Sequence, residues 1–517
     1  MICDLDDHRQ LCEALARKLD AAVYETHISS VLVADGHAWK IKKPVDLGFL
    51  DFSTLEKRRH CCEEEIRLNG RLAPDVYQRV AAITGSVENP AIDGEGEVIE
   101  YAVQMREFPA DALLADDPAL LDASLIDAIA EQVALFQRSA AVASQESGFG
   151  QPGAVLAPML QNFEQILARI EEASDRQRLA ALQAWTETRF AELHPLLEMR
   201  PGNGRIREGH GDMHLGNIAV EEGRAIIFDG IEFNPQLRWI DVMSEVAFLV
   251  MDLQNRGHTG LAWRFLNGYL TQTGDFAGVG LLNYYLVYRA LVRAKVAILR
   301  LAQPGMDMAS QQAARDEYRS YMALAGQHSG PQRPALIIMH GVSGSGKSWY
   351  ATRLAEQLGA IRIRSDVERK RLYGYSPEAK TASGIGSGIY TTTAGMRTYD
   401  QLARLARHGI DAGYPVIIDA TFLGRGQRER FRQLAATTGV PFVILACTAS
   451  QDTLRQRILM RQAADSDPSE AGMAVLESQL QSQEPLGEDE QANVLSPVPD
   501  GSESLETLAD RLAGRMA

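Results

Sequence analysis

The chain has 517 residues, 45% of them hydrophobic and 23% charged, and a formal net charge of −16. That composition excludes disorder as the default and gives enough chain for two or three separate cores. The acidic balance argues against a general nucleic-acid binder, which needs clustered Lys and Arg, and leaves a nucleic-acid end only as a phosphate acceptor. At the N-terminus acidic residues stand where a secretory signal carries basic ones, and no apolar run approaches membrane-spanning length, so a cytoplasmic protein with no membrane partner is expected. Five cysteines, Cys3, Cys12, Cys61, Cys62 and Cys447, are too few and too scattered for a disulfide framework or a zinc site. The pair Cys61-Cys62 reads as two reduced thiols on a helix.

Residues 22–45 alternate apolar and polar around Asp35-Gly36, which predicts a hairpin of strands 28–33 and 37–42. From Ser53 the spacing turns helical, with Ser53 as N-cap, Glu56 as its capping-box partner and an end near Leu72, before Pro74. Strand-like runs follow at 80–83 and 98–105. The section from about 120 to 200 reads as helical, two short strands flank residues 210–217, and helices continue to about 324. Residues 325–334 are polar with two Gly and two Pro, the composition of a connection between domains. Domains at 1–325 and 335–517, joined by a linker at 326–334, are therefore expected, each with a self-sufficient core. Beyond the linker, strands at 335–339, 360–364, 416–418 and 443–446 alternate with helices, which predicts a parallel sheet covered on both faces.

Gly341-Val-Ser343-Gly344-Ser345-Gly346-Lys347-Ser348 follows the first of these strands and opens a helix. Glycines at this junction let backbone N–H groups point at phosphate oxygens, and the helix N-terminus adds its positive dipole. Lys347 is placed to reach the β/γ-phosphates and Ser348 to hold Mg²⁺. Asp419 ends a buried strand as a second magnesium residue does. Asp366 lies at the end of the second strand, where ligands of open α/β sheets bind; it can take the proton of an acceptor hydroxyl while Arg369 holds the acceptor. Arg457 and Arg461, four apart on one helix, suit a clamp on the transferring phosphoryl group. On these motifs residues 335 to about 484 resemble the P-loop kinase group that includes polynucleotide kinase, zeta-toxin and gluconate kinase-like proteins. The resemblance implies ATP, Mg²⁺ and a hydroxyl-bearing acceptor.

The middle of the chain carries a second signature, His210-Gly-Asp212-Met-His-Leu-Gly-Asn217, followed by Asp229-Gly230. This is the spacing of a kinase catalytic loop and metal-binding Asp, with Asp212 as base and Asn217 and Asp229 on Mg²⁺. Gly in place of the usual Arg, and the phrase His-Gly-Asp-x-His-x-x-Asn, resemble the aminoglycoside phosphotransferase-like branch, over about residues 20–300. That resemblance implies Lys40 as the lysine on the ATP phosphates, with Lys42 on the same strand face as the alternative, Glu65 as its ion-pair partner, and residues 105–108 as the hinge that meets adenine. No Gly-x-Gly-x-x-Gly precedes Lys40, so the hairpin at Asp35-Gly36 must cover the phosphates, and residues 42–52 form an insertion with no generic kinase role. Together the motifs resemble bacterial fusion proteins with an α+β, two-lobed, protein-kinase-like domain followed by an α/β P-loop NTPase domain. The activity so implied is a phosphotransferase with two Mg²⁺-ATP sites; the rival is a nucleotide-driven switch without a small-molecule acceptor.

Overall fold

The computed structural model describes residues 2, 4–48, 50–301, 306–381, 388–464, 472–498 and 503–516; Cys3 lies outside them. Contacts divide the chain into two units, Met1–Asn162 with His194–Asp252, and Phe163–Leu193 with Leu253–Ala517.

The first unit opens with helix α1 (Leu5–Leu19), which the sequence reading did not foresee although Asp4 caps it by accepting the N–H groups of Asp6 and Asp7 at 2.9 Å. Strands β1 (Ala22–Glu25), β2 (Ser29–Ala34) and β3 (His37–Lys42) precede helix α2 (Leu55–Asn69), and β4 (Tyr77–Gly85), β5 (Pro90–Ile92) and β6 (Val98–Arg106) follow it. The six strands form one antiparallel sheet in the order β1-β2-β3-β6-β4-β5. The β2–β3 hairpin turns on Asp35 and Gly36 at φ 50° and 75°, the paired left-handed residues that match strand twist in a two-residue turn. The cap of α2 differs from expectation by one residue. Thr54 accepts the Lys57 N–H at 3.3 Å, while the Ser53 hydroxyl donates to Asp51 at 2.6 Å, and the helix ends at Asn69 rather than Leu72. Cys61 and Cys62 are free, buried thiols on α2.

Next along the chain come α3 (Ala123–Ser139), α4 (Pro152–Leu167), α5 (Ala173–Gly202), β7 (Ile206–Glu208), β8 (Ile218–Glu221), β9 (Arg224–Ile227), α6 (Pro235–Arg238), β10 (Trp239–Asp241) and α7 (Val242–Asn255), of which Phe163–Leu193, the end of α4 and most of α5, belongs to the second unit. The antiparallel pairs β8–β9 and β7–β10 frame the 210–217 loop.

His8 supplies a pH test of this unit. It is 2% exposed, its Nε2 lies 2.8 Å from the Ser30 hydroxyl, and burial, reinforced by Lys43, lowers its pKa from 6.5 to about 4; Glu25 pulls the other way and Arg58 adds to the lowering. Between those values the unfolded chain binds a proton that the folded one refuses. The contribution to stability is therefore complete above pH 6.5 and is lost as pH falls toward 4, about 3 kcal/mol in all. Denaturant midpoints measured from pH 7 to 4 should fall across that window, and more shallowly in His8→Gln; an unaltered slope in the variant would refute the assignment.

The second unit contains α8 (Thr259–Thr273), α9 (Leu282–Leu301) and α10 (Met308–Ser329), then β11 (Leu336–His340), α11 (Lys347–Leu358), β12 (Ile361–Arg364), α12 (Ser365–Leu372), α13 (Thr392–Asp411), β13 (Val416–Asp419), α14 (Arg425–Thr438), β14 (Phe442–Ala446), α15 (Gln451–Ala464), α16 (Met473–Ser482), β15 (Val494–Leu495) and α17 (Leu505–Met516). The sheet runs β12-β13-β11-β14-β15 with every pair parallel. Its four expected strands are present; β15 is two residues long and too short to show a pattern. Ile337, Met339, Ile417, Val443 and Leu445 form the core with Leu508 and Leu512 of α17.

The expected linker and division are redrawn by packing. α10 runs through Ser329, so the first four residues of 326–334 are helical, and α8–α10 cluster with the P-loop sheet rather than with residues 1–162. The contacts are specific. Asn267 of α8 accepts the Arg362 N–H at 2.7 Å and donates to Ala360 O at 2.9 Å, Trp263 packs edge-on against Tyr414, and the Tyr414 hydroxyl donates to Asn283 of α9. No helix among the described residues is long and apolar enough to cross a membrane.

Candidate functional sites

In the first unit β3 presents Lys40 and Lys42 on one face, two residues apart, toward Glu65 of α2, which is fully buried. Lys40 Nζ lies 2.8 Å from Glu65 Oε1 and also donates to the Asp229 carboxylate. Lys42 Nζ lies 2.7 Å from Glu65 Oε2 and also donates to Glu232. One carboxylate thus accepts from both lysines. Of the two alternatives, Lys40 meets Asp229 and Lys42 is enclosed. Burial alone would raise the Glu65 pKa, but Lys40 and Lys42 outweigh it and bring it down to about 2. Burial works against both ammonium charges too; carboxylates override it, Asp229 and Glu65 first for Lys40, Glu232 and Glu65 for Lys42, and both lysines stay above their ordinary range.

Asp229 sits two residues beyond β9 at φ 60°, a left-handed conformation that costs a non-glycine residue roughly 1–2 kcal/mol. Two bonds hold it there: its N–H donates to the Tyr77 hydroxyl at 3.0 Å, and the Gly230 N–H donates to Asn69 Oδ1 at 2.6 Å. In the 210–217 loop, Asn217 Nδ2 donates to Asp212 O at 2.9 Å and to its Oδ2 at 3.1 Å, with His214 Nε2 3.4 Å from the same oxygen. His210 Nε2 is 2.8 Å from Phe228 O, which makes it the donor, so Nδ1 accepts the Asp212 N–H at 3.3 Å. Burial depresses the His210 pKa and keeps the ring neutral. Glu245 of α7 accepts the N–H groups of His210 and Gly211.

Gly211 explains the departure from the kinase pattern. Its φ is 86°, and a Cβ there would stand 2.7 Å from Leu237 O, so neither Arg nor any other side chain fits. In residues 105–108, expected to form the hinge, Arg106 pairs with Glu221 at 2.7 Å and Phe108 packs on Phe228. The sequence reading missed Asn69, Tyr77, Glu232 and Glu245. Glu232 alone left a signal, as a carboxylate between Ile231 and Phe233 that burial obliges to find a partner.

In the second unit the 341–348 loop joins β11 to α11. Gly341, Gly344 and Gly346 have φ of 140°, 83° and 96°, and a Cβ on Gly341 would lie 2.3 Å from Cys447 O. Lys347 is buried, its Nζ donating to Val342 O at 2.8 Å, and burial lowers its pKa. The Ser345 hydroxyl is buried without a hydrogen-bond partner among the described residues. Because β11 and β13 are neighbours, Ser348 meets Asp419: Oγ donates to Oδ1 at 3.1 Å. Burial works to raise Asp419, but Arg362, whose Nη2 is 2.5 Å from Oδ2, and Arg364 leave it below the ordinary carboxylate range.

Asp366 lies in the first turn of α12 rather than on the strand, since β12 ends at Arg364. Arg369 Nη1 is 3.8 Å from Asp366 Oδ1, and its guanidinium stacks over Tyr390. On α15, Arg457 Nη1 donates to Gly344 O at 3.1 Å, which brings this helix to the glycine loop; Arg461 is close enough to act on the charge of Lys347. Ser343 completes the loop, its N–H donating to Gln479 Oε1 at 2.7 Å.

An α+β region built on a six-stranded antiparallel sheet and an α/β P-loop domain with a parallel sheet therefore share this chain. Residues 336–486 match the family model described as "AAA domain". The chain is 32% identical over 454 residues to the Mycobacterium tuberculosis protein described as "Uncharacterized protein Rv2004c", covering 86% of this chain and 87% of that one, and equally to Mb2027c of Mycobacterium bovis. It belongs to the family of these mycobacterial proteins. Among solved structures, a choline/ethanolamine kinase family protein from Mesorhizobium loti aligns at 13% identity and TM-score 0.40 over 62% of this chain and 98% of that one. The Mycobacterium tuberculosis APS kinase CysC, solved with AMPPNP and APS, aligns at 19% identity and TM-score 0.27 over 36% and 99%.

Proposed function

We propose that the chain is an ATP-dependent phosphotransferase with two separate Mg²⁺-ATP sites, each passing the γ-phosphate to the hydroxyl of a small-molecule or nucleotide-type acceptor. The observation that supports this is that each unit brings its own set of candidate residues together: Asn217 donates to Asp212 and Lys40 to Glu65 and Asp229 in one, and Ser348 meets Asp419 beside the glycine loop that carries Lys347 in the other. At the first site Asp212, oriented by Asn217, takes the acceptor proton as the acceptor oxygen bonds to phosphorus and ADP departs. Lys40 contacts the ATP phosphates and Glu65 holds it, with residues 105–108 on adenine. At the second, Asp366 is the base, Arg369 holds the acceptor, and Lys347, the N–H groups of residues 341–348, Arg457 and Arg461 handle the phosphates.

The residues present fit magnesium. Mg²⁺ takes one or two protein oxygens plus phosphate oxygens, which Asn217 with Asp229, and Ser348 with Asp419, supply. The buried Ser345 hydroxyl, which has no hydrogen-bond partner among the described residues, and the left-handed glycines of the loop fit a phosphate cradle. Bound there, Mg²⁺ would neutralise charge on the phosphates.

Calorimetric titration with Mg²⁺-ATP tests the two-site count. Wild type should bind two equivalents and Lys347→Ala one. Loss of all binding in Lys347→Ala overturns the two-site reading, and two-site binding without transfer to any hydroxyl compound replaces it with the nucleotide switch.

A further inference from the structure

We infer that Lys42 and Glu232 form a positioning pair for Asp229 at the first nucleotide site, an assignment that rests on the reading of that site given above. Lys40 and Lys42 are two apart on β3, and the residues they meet, Asp229 and Glu232, are three apart on one loop. A single tie leaves a loop free to pivot; two ties fix its direction as well. Glu65 accepts from both lysines and locks the two ties together.

The pairs differ in exposure. The side chains of Lys42 and Glu232 are 0% and 4% exposed, those of Lys40 and Asp229 11% and 43%. In the proposed reaction Lys40 engages phosphate and Asp229 engages Mg²⁺, so their mutual bond cannot also hold the loop. The sealed pair can, because neither partner is reached by solvent or nucleotide.

This assignment also accounts for the insertion at 42–52. Its chain folds back through an Asp46–Asp51 bridge, and the Phe52 N–H donates to Val45 O at 2.8 Å. Phe52 is thereby set with its ring 5.0 Å from Lys42 Nζ and edge-on to Phe233, the neighbour of Glu232. Phe52 O is held in turn by Arg58, which is buried against Glu100. The insertion is the lid of the buried pair, and it excludes the water that would otherwise loosen it.

The test uses the full chain carrying Lys347→Ala, so that a fluorescent ATP analogue reports on the first site alone. Mg²⁺ is titrated at fixed analogue, and the unfolding midpoint of each protein is measured. Glu232→Gln keeps the shape and leaves Lys42 paired with Glu65; the double variant Lys42→Met, Glu232→Met removes both charges, a change that buried pairs usually survive as folded protein. The Mg²⁺ concentration at half-saturation should rise on the order of tenfold in both, as for other residues that orient a metal ligand, with the midpoint of Glu232→Gln close to that of its parent. A Mg²⁺ dependence within twofold of the parent overturns the pair's role, and so does loss of cooperative unfolding in both variants, which would make it a support of the fold. A parent that binds no analogue instead removes the first site itself, a distinct failure that takes the inference with it.

Discussion

Asp212→Asn and Asp366→Asn should each abolish one of two phosphate transfers and leave the other intact. With γ-labelled ATP and a metabolite extract, wild type should yield two labelled products, each missing from one variant. Asn keeps the shape of the carboxylate but cannot take the acceptor proton, and general-base catalysis typically contributes 10²–10⁴-fold, about 3–5 kcal/mol of barrier. ATP affinity should change little. A drop in affinity that matches the drop in transfer would assign these carboxylates to binding instead. The expectation is sharper for Asp212, because Asn217 donates to both its carbonyl and its carboxylate and so fixes the proposed base relative to the proposed magnesium residue.

A fragment of residues 335–517 should fold poorly, although the sequence marks it as a domain. Cutting at 335 removes Trp263 and Asn283 from Tyr414, which is 4% exposed in the intact chain. Full burial of a ring of that size is worth roughly 1.5–3 kcal/mol, a large share of a total stability of about 5–15 kcal/mol. The cut also strips Asn267 from Ala360 and Arg362 at the edge strand β12, next to Asp419. Circular dichroism should show low solubility or a broad, early melt, and residues 253–517, which keep α8–α10, should melt more cooperatively. A sharp melt of 335–517 at the temperature of the intact chain would refute the dependence.

That dependence marks where reading by chain order stops. Glycine, proline and polar residues at 325–334 signal a change of local structure, and α10 does end within them, at Ser329. They carry no information on which core the preceding helices join. That is decided by Trp263, Asn267 and Asn283, ordinary helix residues whose partners lie some 90–150 positions away.

The two signatures and their settings were legible in the chain order: the 341–348 loop between strand and helix, the 210–217 loop between short strands, the Asp35-Gly36 hairpin and the four strands of a parallel sheet. Each is specified within a few residues, because glycine φ, strand alternation and helix start signals are local properties. Only the fold brings Lys40 rather than Lys42 to Asp229, sets Gly211 where Leu237 O leaves no room for a side chain, puts Glu232 against Lys42 and Glu245 against the N–H groups of His210 and Gly211, and pairs Arg362 with Asp419. A buried charge must find its partner wherever the fold brings one, and nothing local in the chain records that distance.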